Sequence, residues 1–203
     1  MLKKEMSKSE VEKELEGKGD YVQIDSLRRF LKENLPLDVK KFSLLKLVLI
    51  YEGRKMFSEA ADLYGKLGEI SMNLTERSGY LIKQVEDYIR SGFFDMADLV
   101  MNKLLSETVK FTDKVKVTAS IIDFYKKQAE IYEKERRRSK AVEVYEKLLT
   151  MKISDVEKDL VNKKLMDLYK TLGMIDKYIK IKEAPNKPSK PAPKYNDYDF
   201  SSN

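Results

Sequence analysis

One recurring spacing of tyrosine residues constrains the fold of this chain more than any other feature. Four tyrosines stand at separations of 37, 44 and 37 residues, namely Tyr51, Tyr88, Tyr132 and Tyr169. Nine residues after each of the first three stands an alanine, as Ala60, Ala97 and Ala141. Self-similarity at such a period is typical of chains built from one repeated supersecondary unit.

Two further positions follow the same spacing. Thirteen residues after the first three tyrosines stand Tyr64, Met101 and Tyr145, and sixteen residues after them stand Leu67, Leu104 and Leu148. The fourth copy keeps Tyr169 but has Tyr178 in the alanine position. A large residue that closes one helix and a small residue on the next allow two antiparallel helices to pack closely. Such a hairpin buries its apolar side only when copies stack, and the alternative is a generic helical bundle.

Local signals predict helices throughout the chain, because no segment alternates apolar and polar residues as a strand does. Ser7 with Glu10, and Ser154 with Glu157, match a capping box that starts a helix. We expect a first helix from about Ser7 to Glu16 and a second from Asp25 or Ser26 that ends at Pro36. Further helix starts are predicted at or near Ser58, Thr75, Asp95, Thr112, Ser139 and Asp176. Residues 1–35 would form an N-terminal helical cap, residues 36–184 the repeats, and residues 185–203 a disordered Pro/Lys-rich tail.

Composition argues against an enzyme. The chain has no cysteine and no histidine, which removes the usual zinc ligands, thiol nucleophiles and proton-transfer groups. No phosphate-binding glycine loop occurs, and no carboxylate pair stands out among the 34 acidic residues. We therefore expect no catalytic residues, no metal site and no cofactor. The longest apolar run, Leu47 to Tyr51, is too short for membrane insertion, and without a secretory signal a cytoplasmic location is expected.

The Tyr–Ala–Tyr/Met–Leu spacing resembles that of tetratricopeptide repeats (TPR) over about residues 38–184. Two departures are that the units are longer than that family's 34 residues, and that its first-helix glycine is replaced by Val48, Val85, Ala129 and Met166. The resemblance implies an all-α, right-handed TPR-like α-solenoid of antiparallel helix hairpins. It also implies a concave groove lined by the first helices, a role in binding a peptide or protein partner, and no catalysis.

On this resemblance the groove-facing positions lie six before, two before and one after each tyrosine. They are Leu45, Leu49 and Glu52, then Ile82, Glu86 and Ile89, then Lys126, Glu130 and Glu133, and finally Lys163, Asp167 and Lys170. Leu45 and Leu49 would be apolar in a groove that is otherwise charged. We expect the N-terminal helix around Leu27 and Phe30 to cover them, while a partner helix or a second copy is the alternative.

A basic cluster comprises Lys134, Arg136, Arg137, Arg138 and Lys140. Basic residues here either complement the dipole at a helix C-terminus or contact the phosphates of a nucleic acid. The expected function is a non-enzymatic protein–protein interaction scaffold or adaptor, with a nucleic-acid-associated adaptor as the alternative. The tail is either a docking segment or a solubilising end, and the partner and the oligomeric state stay open.

Overall fold

A computed structural model describes residues 2–183, and every regular element in this range is an α-helix, so the all-helical prediction is confirmed. The predicted tail, residues 185–203, lies outside the described residues. The helices are α1 (Lys8–Leu15), α2 (Asp20–Phe30), α3 (Leu37–Gly53), α4 (Phe57–Ile70), α5 (Leu74–Ser91), α6 (Phe94–Glu107), α7 (Phe111–Lys134), α8 (Arg138–Leu149), α9 (Asp155–Leu172) and α10 (Ile175–Glu183).

The helices form two compact units, one reaching Gln128 and the other beginning at Ala129, so the division falls inside α7. In the first unit α1 and α2 pack on α3, and each of α4, α5 and α6 packs on the helix before it. The core of this unit includes Leu27 and Phe30 from α2 together with Leu47 from α3. In the second unit α9 packs between α8 and α10.

Two capping boxes start helices as predicted. The backbone N–H groups of Ser7 and Ser154 each donate to the glutamate three residues later, at 2.8 Å. The predicted start of α2 was wrong, because the helix begins at Asp20 directly after Gly19 in extended conformation. Gly17, with φ of +71°, forms a tight turn, so only a short loop separates α1 from α2. Pro36 does not end α2 but instead precedes the first residue of α3.

One turn geometry recurs in the four hairpins α3–α4, α5–α6, α7–α8 and α9–α10. We call Tyr51, Tyr88, Tyr132 and Tyr169 the column tyrosines. The residue four after each of them has a positive φ: 59° at Lys55, 84° at Gly92, 59° at Arg136 and 69° at Gly173. The next residue donates its N–H to the carbonyl of that tyrosine at 2.8 or 2.9 Å in all four turns. This bond is the one that closes a helix in a Schellman-type C-cap.

The turn also sets where each second helix begins. The residue five after the tyrosine has nearly the same backbone angles at Met56, Phe93 and Arg137, with ψ of 63°, 67° and 60°. None of these three residues makes a side-chain cap, so Ser58, Asp95 and Ser139 lie inside their helices rather than capping them. The recurring turn thus replaces a side-chain cap as the start signal.

The tyrosine, alanine and leucine positions of the repeat are occupied by core residues. The four tyrosines are 3–5% exposed, and the alanines and leucines that follow the first three of them are at most 1% exposed. Two of the tyrosines also bond to the hairpin before their own within the same unit. The Tyr88 hydroxyl donates to Asp62 on α4, and the Tyr169 hydroxyl donates to Glu146 on α8, both at 2.7 Å. Each of these tyrosines therefore packs within one hairpin and ties it to its predecessor.

Candidate interaction surfaces

The first helices of the first two hairpins, α3 and α5, run side by side in the same direction. Lys41 near the start of α3 bonds to Glu76 near the start of α5 at 2.6 Å. Near the other end, Glu52 of α3 lies close enough to Asp87 of α5 to raise the pKa of the Asp87 carboxyl. Both pairs are 35 residues apart in the chain, so the two helices keep one register along their length. The predicted groove positions of these helices are therefore neighbours on the first unit.

The N-terminal helices leave Leu45 and Leu49 exposed, at 36% and 63%, so the prediction that they would be covered was wrong. Helix α1 bonds to the flank of α3 through Lys8 and Asp38, at 3.1 Å. Helix α2 instead buries Leu27 in the core. The hydrophobic face of α2 thus packs into the core of the first unit and does not cover Leu45 and Leu49.

The shared register places Ile82 of α5 level with the turn of α3 between Leu45 and Leu49. Ile82 is half-buried, and Glu86 pairs with Lys83 at 2.7 Å. Half-buried Phe42 lies one turn before Leu45 on α3, and the Lys46 ammonium stands 5.7 Å from its ring centroid. We call the surface formed by Phe42, Leu45, Leu49 and Ile82 the apolar face. Contiguous exposed hydrophobic side chains of this kind commonly mark a binding surface.

In three of the four hairpins the position one after the tyrosine does not face a groove as predicted; the exception is Lys170, which is exposed on α9. Glu52 accepts a hydrogen bond from the Tyr64 hydroxyl at 3.2 Å, and Glu133 accepts one from the Tyr145 hydroxyl at 2.7 Å. In the second hairpin this position is Ile89, which is fully buried and therefore cannot contact a ligand. The sequence carried a signal for this. The residue twelve after Glu52 and Glu133 is a tyrosine that can donate to the carboxylate, whereas the residue twelve after Ile89 is Met101, which cannot.

Glu133 is also held by a second partner. The Lys164 ammonium on α9 donates to the other oxygen of its carboxylate at 2.9 Å. Although burial opposes it, the hydrogen bonds from Lys164 and Tyr145 hold the pKa of Glu133 below its ordinary value. Glu133 thus joins three helices of the second unit, and this structural role accounts for the residue without a partner protein.

The remaining predicted groove residues lie at the surface with little burial. Lys126 is half-buried on the first unit's part of α7. On the second unit the exposed residues are Glu130 on α7 and Lys163, Asp167 and Lys170 on α9. Alternating charges three to four residues apart along α9 lie on one side of a helix. This charged stripe of α9 is available for a partner of complementary charge.

Sequence reasoning missed a buried carboxyl at Asp87. The residue directly before the other three column tyrosines is Ile50, Ile131 or Leu168, so the exception was visible in the sequence. Asp87 is 1% exposed, and its Oδ1 accepts a bond from Arg90 at 3.1 Å. Its Oδ2 is buried without a hydrogen-bond partner among residues 2–183. Burial, reinforced by the nearby Glu52 carboxylate, raises the pKa of Asp87 to about 7.

The basic cluster is only partly occupied by local partners. The Arg137 guanidinium stacks 4.7 Å from the Tyr132 ring centroid and lies 3.5 Å from Glu135, and Lys140 pairs with Glu143 at 2.7 Å.

The three other members, Lys134, Arg136 and Arg138, are exposed and make no ion pair within the described part of the chain. Lys134 ends α7 and suits that helix's dipole. Arg138 begins α8, where the dipole disfavours a cation, so the dipole does not explain its presence.

A partly open cleft of about 540 Å³ lies among α2, α3 and α4 of the first unit. Leu44, Leu47 and Leu63 are among the apolar residues that line it. The sequence alone did not predict this cleft, because it depends on how three successive helices pack against one another. Its lining also includes the basic residues Arg28, Lys32 and Lys66 and the acidic residues Glu59 and Asp62.

Within residues 2–183, no cluster of three or more acidic side chains is arranged to hold a metal ion. No helix in that range has the length and apolar character needed to cross a bilayer. No protein-family model matches the chain, and neither a curated protein nor a solved structure matches it.

Proposed function

We propose that this chain is a non-enzymatic protein–protein interaction scaffold that binds a peptide or protein partner along the first helices of its hairpins. In this proposal the hairpins form a right-handed TPR-like stack. The recurring turn supports the stack, as do the bonds from Tyr88 to Asp62 and from Tyr169 to Glu146, which tie consecutive hairpins within each unit. The observation that carries the binding role is the apolar face, where Leu45 and Leu49 remain 36% and 63% exposed.

The apolar face suits a partner that supplies its own hydrophobic side chains. A helix or strand with apolar residues on one side would remove Leu45 and Leu49 from water, at roughly 25 cal/mol for each Å² buried. Glu86 stands one turn after Ile82 on α5 and would favour a cation on that segment. On the second unit the charged stripe of α9 offers polar contacts that set specificity more than affinity.

The test compares the apolar face with an equally exposed leucine elsewhere in the same unit. We expect the double variant Leu45→Ser, Leu49→Ser to bind a partner captured from the native cell at least about tenfold more weakly than the parent chain, because interface leucines lose their burial. Leu99→Ser on α6, where the leucine is 64% exposed, should keep the parent affinity. Affinity is measured by calorimetry with the purified partner.

Equal affinity of the parent and the double variant would remove the apolar face from the proposal. A second pair of variants, Lys163→Glu and Lys170→Glu, asks the same question of the charged stripe of α9. If both surfaces tolerate substitution while the partner still binds, the first helices are not the binding surface.

The second candidate function is binding of a nucleic acid through the turn between α7 and α8. It is favoured by the absence of ion pairs at the exposed Lys134, Arg136 and Arg138 within the described residues. If it is correct, a gel-shift assay with single-stranded RNA gives an affinity that falls steeply with salt. The variant Arg136→Ser, Arg138→Ser should reduce the slope of log affinity against log salt by about one to two. A signal that is absent at low salt, or independent of salt, dismisses this candidate.

A further inference from the structure

We propose that the first unit also docks on an anionic lipid surface, through the end at which one hairpin passes to the next. This inter-hairpin end comprises the first five residues of α3, α5 and α7, the last five residues of α4 and α6, and the loops that join them. It is a different surface from the apolar face and does not depend on the scaffold proposal.

Two ion pairs hold the inter-hairpin end together. Lys41 and Glu76 join the starts of α3 and α5. Arg77 donates two hydrogen bonds to the Glu107 carboxylate, at 2.8 and 3.0 Å, and so joins the first turn of α5 to the last residue of α6. The loops at residues 71–73 and 108–110 therefore lie on the same end of the unit, one on each side of the Arg77–Glu107 pair.

The most exposed hydrophobic side chains of the described chain are concentrated on this end. Val109 is 93% exposed and Met72 is 91% exposed, while Phe111 and Leu74 follow at 78% and 74%. Side chains this exposed project from the loops and helix starts instead of lining a groove. Only a medium that surrounds projecting tips removes them from water, and the boundary between lipid headgroups and acyl chains does so.

The charges around these tips favour an anionic surface. The carboxylates of Glu76 and Glu107 are neutralised by their ion pairs, and Asp113 lies 4.0 Å from Lys116. Within residues 2–183, five lysines of this end make no ion pair, namely Lys40, Lys66, Lys103, Lys110 and Lys114. Against them stands one carboxylate without an ion pair, Glu69. Lysines beside an anionic leaflet are attracted to it, and the attraction is screened by salt.

Hydrophobic tips mixed with lysines fit lipid better than the other polyanions. A nucleic acid would attract the lysines but leave Val109, Met72 and Leu74 in water, and Phe111 alone offers a ring for stacking. An acidic protein would need separate pockets for tips on two loops. A headgroup layer needs no matched shape, so it accommodates all four tips together.

The test is co-sedimentation of the full chain with vesicles. We expect binding to phosphatidylcholine vesicles that contain phosphatidylserine in roughly a 3:1 mixture, weaker binding at high salt, and little binding to phosphatidylcholine alone. The variant Leu74→Ser, Phe111→Ser should lower the partition coefficient at least about tenfold, since two tips lose their apolar area. The matched control is Phe93→Ser, because Phe93 is 54% exposed in the turn at the other end of α5. Circular dichroism shows whether each variant keeps its helices.

A second variant keeps the tips and changes the charge. Lys110→Glu with Lys114→Glu should abolish the preference for anionic vesicles. No sedimentation of the parent chain, or equal binding to neutral vesicles, would overturn the proposal. So would an affinity shared by all variants, because the lysines of residues 184–203 would then account for it. Retention of RNA or polyglutamate, with no affinity for vesicles, would assign the same end to a soluble polyanion instead.

Discussion

The Asp87→Asn variant is expected to unfold at a higher temperature than the parent chain at pH 8, with a gain of about 2 kcal/mol in the free energy of unfolding. The Asp87 carboxyl is 1% exposed and its Oδ2 has no partner among the described residues, so its charged form loses hydration without full compensation. An asparagine of the same shape still accepts the bond from Arg90 and carries no charge. The substitution also removes the repulsion between the Asp87 charge and the nearby Glu52 and Glu86 carboxylates.

The sign of the pH dependence follows from the direction of the shift. The pKa of Asp87 is raised from 3.8 to about 7, chiefly by burial and next by Glu52, while the unfolded chain keeps the ordinary value. Between these values the folded chain binds a proton that the unfolded chain has released, so stability at this site falls as pH rises from about 4 to about 7. Below that window both forms are protonated, and above it the loss is complete.

Thermal unfolding between pH 4 and pH 8 measures this effect. We expect the difference between the Asp87→Asn variant and the parent chain to be small at pH 4 and to grow until about pH 7. Asp95→Asn, which changes an exposed carboxylate at the start of α6, is the control and should leave the pH profile of the parent chain unchanged. A variant that is less stable than the parent at every pH would show that the Asp87 charge is needed by Arg90.

The Ala141→Leu variant is expected to lose about 1–3 kcal/mol of stability, because the side chain would be inserted where two helices pack without space. Ala141 is fully buried on α8, nine residues after Tyr132, and Ala97 occupies the same position on α6. Ala97→Leu should therefore destabilise the chain by a similar amount. Chemical denaturation, read by circular dichroism, gives both values.

The matched control for these alanines is Ala119→Leu. Ala119 is exposed on α7, where leucine is as good a helix former as its neighbours, so we expect a change within about 0.5 kcal/mol of the parent. If Ala141→Leu and Ala119→Leu unfold at the same denaturant concentration, the alanine position is not a close contact between helices. The repeat spacing would then lack the packing role given to it.

Part of the fold was predictable because it depends on local patterns. Apolar periodicity and the absence of strand signals gave the helical class, and the column tyrosines and alanines are buried as a packing pattern requires. The turn was half visible, since Gly92 and Gly173 suggest a positive φ whereas Lys55 and Arg136 conceal it. The helix starts predicted at or near Ser58, Asp95 and Ser139 lie within one residue of the observed ones, but the backbone of the turn fixes them and not a side-chain cap.

The candidate surfaces were less predictable because exposure depends on partners distant in sequence. Leu45 and Leu49 stay exposed since the hydrophobic side of α2 is used by the core around Leu27. Glu133 is held by Tyr145, twelve residues later, and by Lys164 on another helix. The sequence shows Asp87 where an apolar residue precedes each of the other three tyrosines. The burial of Asp87 could not be foreseen from its neighbours along the chain.

The most direct test is whether the turns of the four hairpins adopt the same backbone geometry in solution. Scalar couplings across hydrogen bonds in a nuclear magnetic resonance experiment report which carbonyl each amide contacts. We predict couplings from the amides of Met56, Phe93, Arg137 and Met174 to the carbonyls of Tyr51, Tyr88, Tyr132 and Tyr169, respectively, with positive φ at the preceding residues. A negative φ at Lys55 or Arg136, with no coupling to the tyrosine, would contradict the claim that the hairpins are copies of one unit.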